Sequence, residues 1–299
     1  MSKESLTPKQ VARALDVSES SVKRWCDRGV IPALTTPGGH RRIEMSDLVR
    51  FLRTSGRSVV DPSAIGLPVT VGQSPQVIQR AADNLCQALL AGEEAAARQI
   101  VFDLYLGKLS MATICDQVIA TAFHTIGERW HCGEAEVYQE RRGCEICFRV
   151  LHELRRAQPE PTAEAPLALG ATPSGDPYGL STTMAELVLR DAGWRAVSLG
   201  SNLPLVSLRV ALTRHHPRLF WLSVSHIADE QAFLDDLEAF YAAKPADVAV
   251  VVGGQALTPE LRQRMSYSAH CDTMRHLAEF AGTLAERQLT ACNDPNCLN

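Results

Sequence analysis

Beyond Pro166 the apolar residues gather into short runs that recur at near-even spacing: LALGA at 167–171, WRAVSLG at 194–200, LFWLSVS at 219–225 and VAVVVGG at 248–254. Between them lie stretches of helical texture at 180–192, 204–215 and 229–242, and helix-like and strand-like segments near 275–289 follow. Short, nearly continuous apolar strands alternating with helices leave one economical solution, a parallel sheet covered on both faces. This pattern predicts a Rossmann-like parallel α/β domain over 167–289, with ligands expected at the carboxyl ends of its strands.

Upstream the period changes. Helical patterns at Gln76–Ala91, Glu93–Gly107, Met111–Arg129 and Glu136–Gln158 are separated by short polar or glycine-containing breaks. Four amphipathic helices on short loops predict a four-helix bundle over 76–158. The segment PEPTAEAP at 159–166 reads as a linker, as does the Gly-, Ser- and Pro-rich stretch 57–75. Residues 290–299, with Cys292 and Cys297, read as a disordered tail.

Residues 1–56 form a third, distinct piece. Thr7 is a good N-cap with Pro8 at the first helical position. Asp16-Val17-Ser18 makes the turn into a second helix that ends at Gly29, and a third helix starts near Ser46-Asp47. Between the last two lies T-T-P-G-G-H-R-R, a tight reversal from which His40, Arg41 and Arg42 emerge together. An apolar core has no use for such a cluster, whereas a phosphate backbone does. Charge agrees: residues 1–60 carry 11 Lys and Arg against 6 Asp and Glu, although the whole chain of 299 residues has a net charge of −4. A basic head on an acidic body suits a nucleic-acid reader joined to a module with another task.

The segment T-P-K-Q-V-A-R-A-L-D-V-S-E-S-S-V-K-R-W with the following G-G-H-R-R-I resembles the winged helix-turn-helix domain of MerR-type regulators, a head also shared by excisionase-like architectural proteins. The resemblance implies duplex DNA as partner. Ser20, Ser21, Lys23 and Arg24 would lie at the major groove, and His40, Arg41 and Arg42 on the backbone or in the minor groove. One small head contacts few phosphates, so a homo-oligomer is expected as well, with RNA polymerase as a further expected partner.

The bundle segment G-E-R-W-H-C-G-E, with Glu140 ten residues beyond Trp130 and a parallel sheet to follow, resembles the cobalamin-binding module of light-sensing MerR-type regulators and corrinoid methyltransferases. In that family the tryptophan covers the upper face of the corrin. By resemblance Trp130 takes this role, Glu140 belongs to the same signature, and His131 is placed as an upper axial ligand. Arg141 stands where the signature has histidine. In the sheet domain the family's D-x-H-x-x-G loop corresponds to Asp176–Ser181; Asp176 is retained, but Tyr178 replaces the histidine that binds cobalt from below. Ser223 of L-S-V-S matches the serine at the nucleotide-tail channel, Ser225 of the same run is a further candidate for the pocket, and Gly253 and Gly254 match the glycine pair along that tail.

Three readings of the pocket therefore stand: cobalamin without a protein lower ligand, another flat tetrapyrrole such as haem or a bilin, or no cofactor. His226, just after the S-V-S strand, stands near the same pocket. Cys144 and Cys147, with Cys132 beside His131, offer a redox or metal-sensing alternative. Nucleotide-loop and nucleophile-elbow motifs are absent from the sequence, which speaks against an enzyme. No apolar run approaches a membrane span, and MSKESLTPKQ has no signal-peptide core, so a cytoplasmic protein is expected. The whole reads as a multidomain α and α/β transcription regulator, a photoreceptor candidate in which bundle and sheet sense a tetrapyrrole and set oligomeric state and DNA affinity.

Overall fold

A computed structural model describes residues 5–57, 59–66 and 74–292, without the side chains of 287–292. It divides into two compact units, Met1–Ser110 with Gln117–Glu160, and Met111–Asp116 with Pro161–Asn299.

The first unit opens with a helix-turn-helix, α1 (Pro8–Ala14) and α2 (Glu19–Asp27). Each start is fixed by local chemistry. Thr7 Oγ1 accepts from the Gln10 amide while the Gln10 side chain accepts from the Thr7 amide, and Ser18 Oγ accepts from the Ser21 amide. Gly29, at φ +71°, lets the chain leave α2 through left-handed space. Three short strands, β1 (Ser5–Leu6), β2 (Leu34–Thr35) and β3 (Arg41–Glu44), form an antiparallel sheet in the order β1-β3-β2. The β2–β3 hairpin is the wing. Of its two glycines only Gly39, at φ +77°, takes the positive φ that the reversal needs. Helix α3 (Met45–Ser55) starts directly from β3, with Glu44 rather than a Ser or Asp at the cap position. Val11, Val22, Ile31, Ile43, Leu48 and Val49 close the core under these elements.

The bundle consists of α4 (Pro75–Ala91), α5 (Glu94–Leu106), a third helix made of α6 (Met111–Thr113), a π-helical stretch Ile114–Ile119 and α7 (Ala120–His131), and α8 (Val137–Ala157). On α8 the buried residues Gly143, Ile146, Cys147, Val150, Leu151, Leu154 and Ala157 repeat every three or four positions, one continuous apolar stripe. The third helix crosses between units, because Met111–Asp116 belongs to the second. There the Met111 amide donates to Asp191, and Asp116 accepts from the amides of Met274 and Arg275.

The N-terminal head is not strung on a free tether. Helix α3 packs along α8, and two arginines secure it. Arg53 stacks 3.8 Å over the Tyr105 ring and donates to the Leu109 carbonyl at 3.1 Å, while Arg50 donates to the Arg156 carbonyl. Part of the expected linker 57–75 is structured too. Val60 and Asp61 donate to the Ala14 carbonyl, Arg13 pairs with Asp61 at 2.8 Å, and a 3₁₀ turn at Pro62–Ile65 buries Ile65. Residues 58 and 67–73 of that stretch lie outside the described residues.

In the second unit five parallel strands, β4 (Leu167–Ala171), β5 (Arg195–Ser198), β6 (Leu219–Ser223), β7 (Ala249–Gly253) and β8 (Ala269–His270), lie in the order β5-β4-β6-β7-β8. The covering helices are α9 (Leu180–Asp191), α10 (Leu205–His215), α11 (Glu230–Ala242), the short α12 (Pro259–Arg262) and α13 (Met274–Cys292). Strand β6 is buried throughout, as a central parallel strand should be. The sequence pattern places β4 to β7 and their helices but passes over α12 and β8, which are too short to show a period. The expected tail from 290 begins inside α13, and its remainder, 293–299, lies outside the described residues.

Strand order reverses between β4 and β6, so their carboxyl ends flank the topological switch point. Here glycines admit close backbone approach. A Cβ on Gly254, at φ +122°, would stand 2.3 Å from the Val224 carbonyl oxygen, and one on Gly253 2.6 Å from that of Cys271. Gly254→Ala is therefore expected to destabilise the second unit by roughly 2–4 kcal/mol, read from its urea unfolding midpoint.

Burial pushes the Asp103 carboxyl up from 3.8 to about 7, against a hydrogen bond from Gln99 that pulls it down. The folded state then holds this proton more tightly than the unfolded chain, so its stabilising effect is complete below the ordinary aspartate range and is lost as pH rises through about 7. Asp103→Asn should flatten the decline in thermal midpoint between about pH 4 and pH 8, a window that spans the shift from 3.8 to about 7.

Candidate DNA-binding surface and cofactor residues

Helix α2 presents Ser20, Lys23 and Arg24 to solvent, with Ser21 half-buried beneath the Ser18 cap. Lys23 is paired with Glu19 one turn earlier at 2.8 Å. Across from it the wing exposes His40 and half-buries Arg41 and Arg42. The two elements share one groove of about 320 Å³, lined by Lys9, Lys23, His40, Arg41 and Arg42 with Glu19 at its edge. Five of its nine lining residues are basic or imidazole side chains, a surface suited to phosphate.

Arg41 is not idle there. Its guanidinium holds Asp27, the last residue of α2, with Nη2 at 2.7 Å and Nε at 3.0 Å from one carboxylate oxygen. The pair ties wing to recognition helix, so of the two wing arginines it leaves Arg42 the freer for a phosphate. Lys9 joins the groove from the first turn of α1, a residue the sequence reading passed over. Its signal was modest: a lysine two residues beyond a helix cap, within a basic head.

On the bundle, Trp130 closes α7 with its indole 48% exposed and its ring centroid 4.9 Å from that of His131, which is also exposed. Val137 and Tyr138, at the start of α8, are likewise exposed, while Glu140 is half-buried beside Arg141. Large apolar side chains standing in solvent this close in sequence mark a surface built for contact. Cys132 is exposed, whereas Cys144 is half-buried and Cys147 buried. Burial, with the Glu140 charge adding to it at Cys144, pushes these two thiols up to about 11 and about 12. Among the described residues no group of three or more His, Cys, Asp or Glu is placed to hold a metal ion. At pH 8 iodoacetamide should modify Cys132 at least about tenfold faster than Cys144 or Cys147, as peptide mass mapping would record.

At the sheet's carboxyl edge the organising group is Asp176, fully buried. One carboxylate oxygen accepts from the Ser225 amide at 2.6 Å and the His226 amide at 3.2 Å; the other accepts from the Tyr178 amide at 3.0 Å. The loops after β4 and β6 are thereby tied together. Thr172 and Asn202 add the loop after β5: Asn202 donates from its amide to Thr172 Oγ1 and accepts on its side chain from the Gly175 amide, both at 2.8 Å. Tyr178, 37% exposed, meets the exposed His226 ring edge to face at a centroid distance of 6.4 Å. Ser181 and Ser225 hydroxyls stand 3.4 Å apart, and Ser223 is buried. Beside His226 a cavity of about 240 Å³ opens between Pro173–Gly175 and Ile227–Phe233. This is smaller than most drug-sized ligand pockets, so it does not by itself enclose a macrocycle.

The structure thus gathers Asp176, Tyr178, Ser225 and His226 at one edge, with Ser223, Gly253 and Gly254 at the strand ends behind. Asp176 turns both oxygens to backbone amides, and Gly253 and Gly254 are required by backbone packing whatever ligand is present. Asp176→Ala leaves three part-buried amides without that acceptor and should cost about 3 kcal/mol, seen as a lowered thermal midpoint and faster amide exchange in the loop after β6.

Residues 5–56 match the family model for a helix-turn-helix domain, and residues 81–155 match that for a B12 binding domain. Over 252 residues the chain is 25% identical to the HTH-type transcriptional repressor CarH of Myxococcus xanthus, an overlap of 79% of this chain and 84% of that protein. Its fold is similar to the monomethylamine corrinoid protein of Methanosarcina barkeri, with a TM-score of 0.59 and 16% identity over 69% of this chain and 99% of that one. These matches support a DNA-binding regulator that carries a B12 binding domain. Among the described residues, no helix is long and apolar enough to cross a membrane.

Proposed function

We propose that this chain is a transcription regulator rather than an enzyme, one whose head binds duplex DNA and whose bundle and α/β unit sense a tetrapyrrole of the cobalamin type. Cofactor binding sets oligomeric state, and oligomeric state sets DNA affinity. The observation that carries this reading is the basic groove shared by α2 and the wing, in a chain whose next helices match a B12 binding domain.

In this reading Ser20, Ser21, Lys23 and Arg24 meet base edges and phosphates in the major groove, while His40, Arg41 and Arg42 grip the backbone beside it. One small head neutralises few phosphates, so tight binding needs two or more heads held together. On the sensing side the exposed residues suit a flat macrocycle: an indole at Trp130, a phenol at Tyr138, and imidazoles at His131 and His226. When bound, such a cofactor would supply a metal centre that responds to light or redox state. The chain's own part is to cover the ring with Trp130, to exclude water from it, and to convert its state into packing.

The reading is tested by expressing the protein with hydroxocobalamin or hemin and recording absorption of the purified material before and after illumination, alongside its mass in solution. A retained corrin or haem spectrum supports it, and a colourless protein after both supplements overturns it. Trp130→Ala should weaken cofactor retention at least about tenfold, the loss expected for a stacking residue. Replacing Arg41 and Arg42 with Ala should weaken DNA binding and lower the slope of log affinity against log salt by about one for each phosphate contact removed. An unchanged slope would show that the wing does not touch phosphate.

A further inference from the structure

The basic groove of the head brings its own anions. Glu19 opens α2 and Asp27 ends it, and each holds one of the cations that line the groove. Glu19 Oε1 stands 2.8 Å from the Lys23 ammonium one turn on. Asp27 Oδ1 accepts from Nη2 and Nε of Arg41 at 2.7 and 3.0 Å, a contact that reaches from α2 to the wing. Arg24 and Arg42, by contrast, have no carboxylate within ion-pair distance among the described residues. The hydrogen bond from Lys23 holds the Glu19 carboxyl below its ordinary range, so this anion persists well below neutral pH. Both pairs are open to solvent, which leaves them little to contribute to folding. The ends of α2 are set by other residues, Ser18 capping its start and Gly29 turning the chain away after it. The greater effect of the two carboxylates falls on whatever anion enters the groove.

We propose that Glu19 and Asp27 are specificity-determining residues, internal competitors for phosphate that lower the head's affinity for duplex DNA of arbitrary sequence, an inference that rests on the DNA-binding reading above. A phosphate that approaches Lys23 or Arg41 meets a cation already in contact with a carboxylate. Displacing that carboxylate leaves it beside the phosphate, and like charges so placed repel. Binding to arbitrary sequence draws almost wholly on neutralised phosphates, so it loses most when two cations are engaged in advance. A duplex that also offers base-edge contacts to α2 has a second source of affinity and tolerates the exchange better. The carboxylates therefore widen the gap between right and wrong sequences by weakening the wrong ones. On arbitrary duplex the unpaired Arg24 and Arg42 carry more of the phosphate contact than Lys23 and Arg41 do.

The test needs no operator. Full-length protein is titrated against a fluorescently labelled pool of random-sequence duplexes, and anisotropy is followed over a series of salt concentrations. Glu19→Gln and Asp27→Asn, each nearly isosteric, should tighten binding at least about threefold near 0.1 M salt and steepen the slope of log affinity against log salt by about one for each cation released. A gain of affinity does not arise from a damaged fold, so the direction of the change separates this role from a structural one. A double-mutant cycle then asks whether each carboxylate acts through its own cation. The gain from Asp27→Asn should lose most of its size in an Arg41→Ala background, and that from Glu19→Gln in a Lys23→Ala background. Affinity that is unchanged or weakened in the single variants overturns the proposal, as do gains that persist undiminished without the partner cation, since these report net charge alone. Wild-type binding at low salt shows that such a failure belongs to Glu19 and Asp27 and not to the DNA-binding reading. If neither the wild type nor any variant binds duplex at low salt, that reading falls and the proposal falls with it.

Discussion

The carboxylate of Asp176 is the interaction on which the second unit's working edge depends. Parallel strands deliver their loops to one side of the sheet but do nothing to hold those loops together. A buried charge that accepts from the amides of residues 178, 225 and 226 does so, and hydrogen bonds to a charged group are about twice as strong as neutral ones. Thr172 and Asn202 extend the same tie to the loop after β5. This edge is therefore a knotted surface rather than three independent loops, its backbone held by side chains of the fold itself.

Much of the architecture was legible in sequence because its causes are periodic. The strands β4 to β7 and the bundle helices follow from apolar spacing, and the ends of α1 and α2 follow from Thr7, Ser18 and Gly29. What escaped has non-local causes. Nothing near Arg53 announces the Tyr105 ring beneath it, and nothing near Asp27 announces Arg41, fourteen residues on. The head and bundle, which read as separate pieces on a linker, form one unit through contacts between α3 and α8 that no local pattern carries.

The site residues divide in the same way. Trp130 was singled out by resemblance, and its exposure on a helix end is independent physical support for a contact role. Asp176, Gly253 and Gly254 were singled out for a ligand, yet each has a sufficient reason within the fold itself: satisfied amides for the aspartate, close carbonyl oxygens for the glycines.

The docking of α3 against α8 has a consequence for what the molecule accepts as an operator. A head on a slack tether tolerates any separation between half-sites that its linker can span. A head clamped by Arg50 and Arg53 to the bundle surrenders that tolerance. Were two such chains to share one duplex, as proposed above, the distance and phase between their α2 helices would be dictated by how the bundles meet, so the bundle would act as a ruler laid along the DNA.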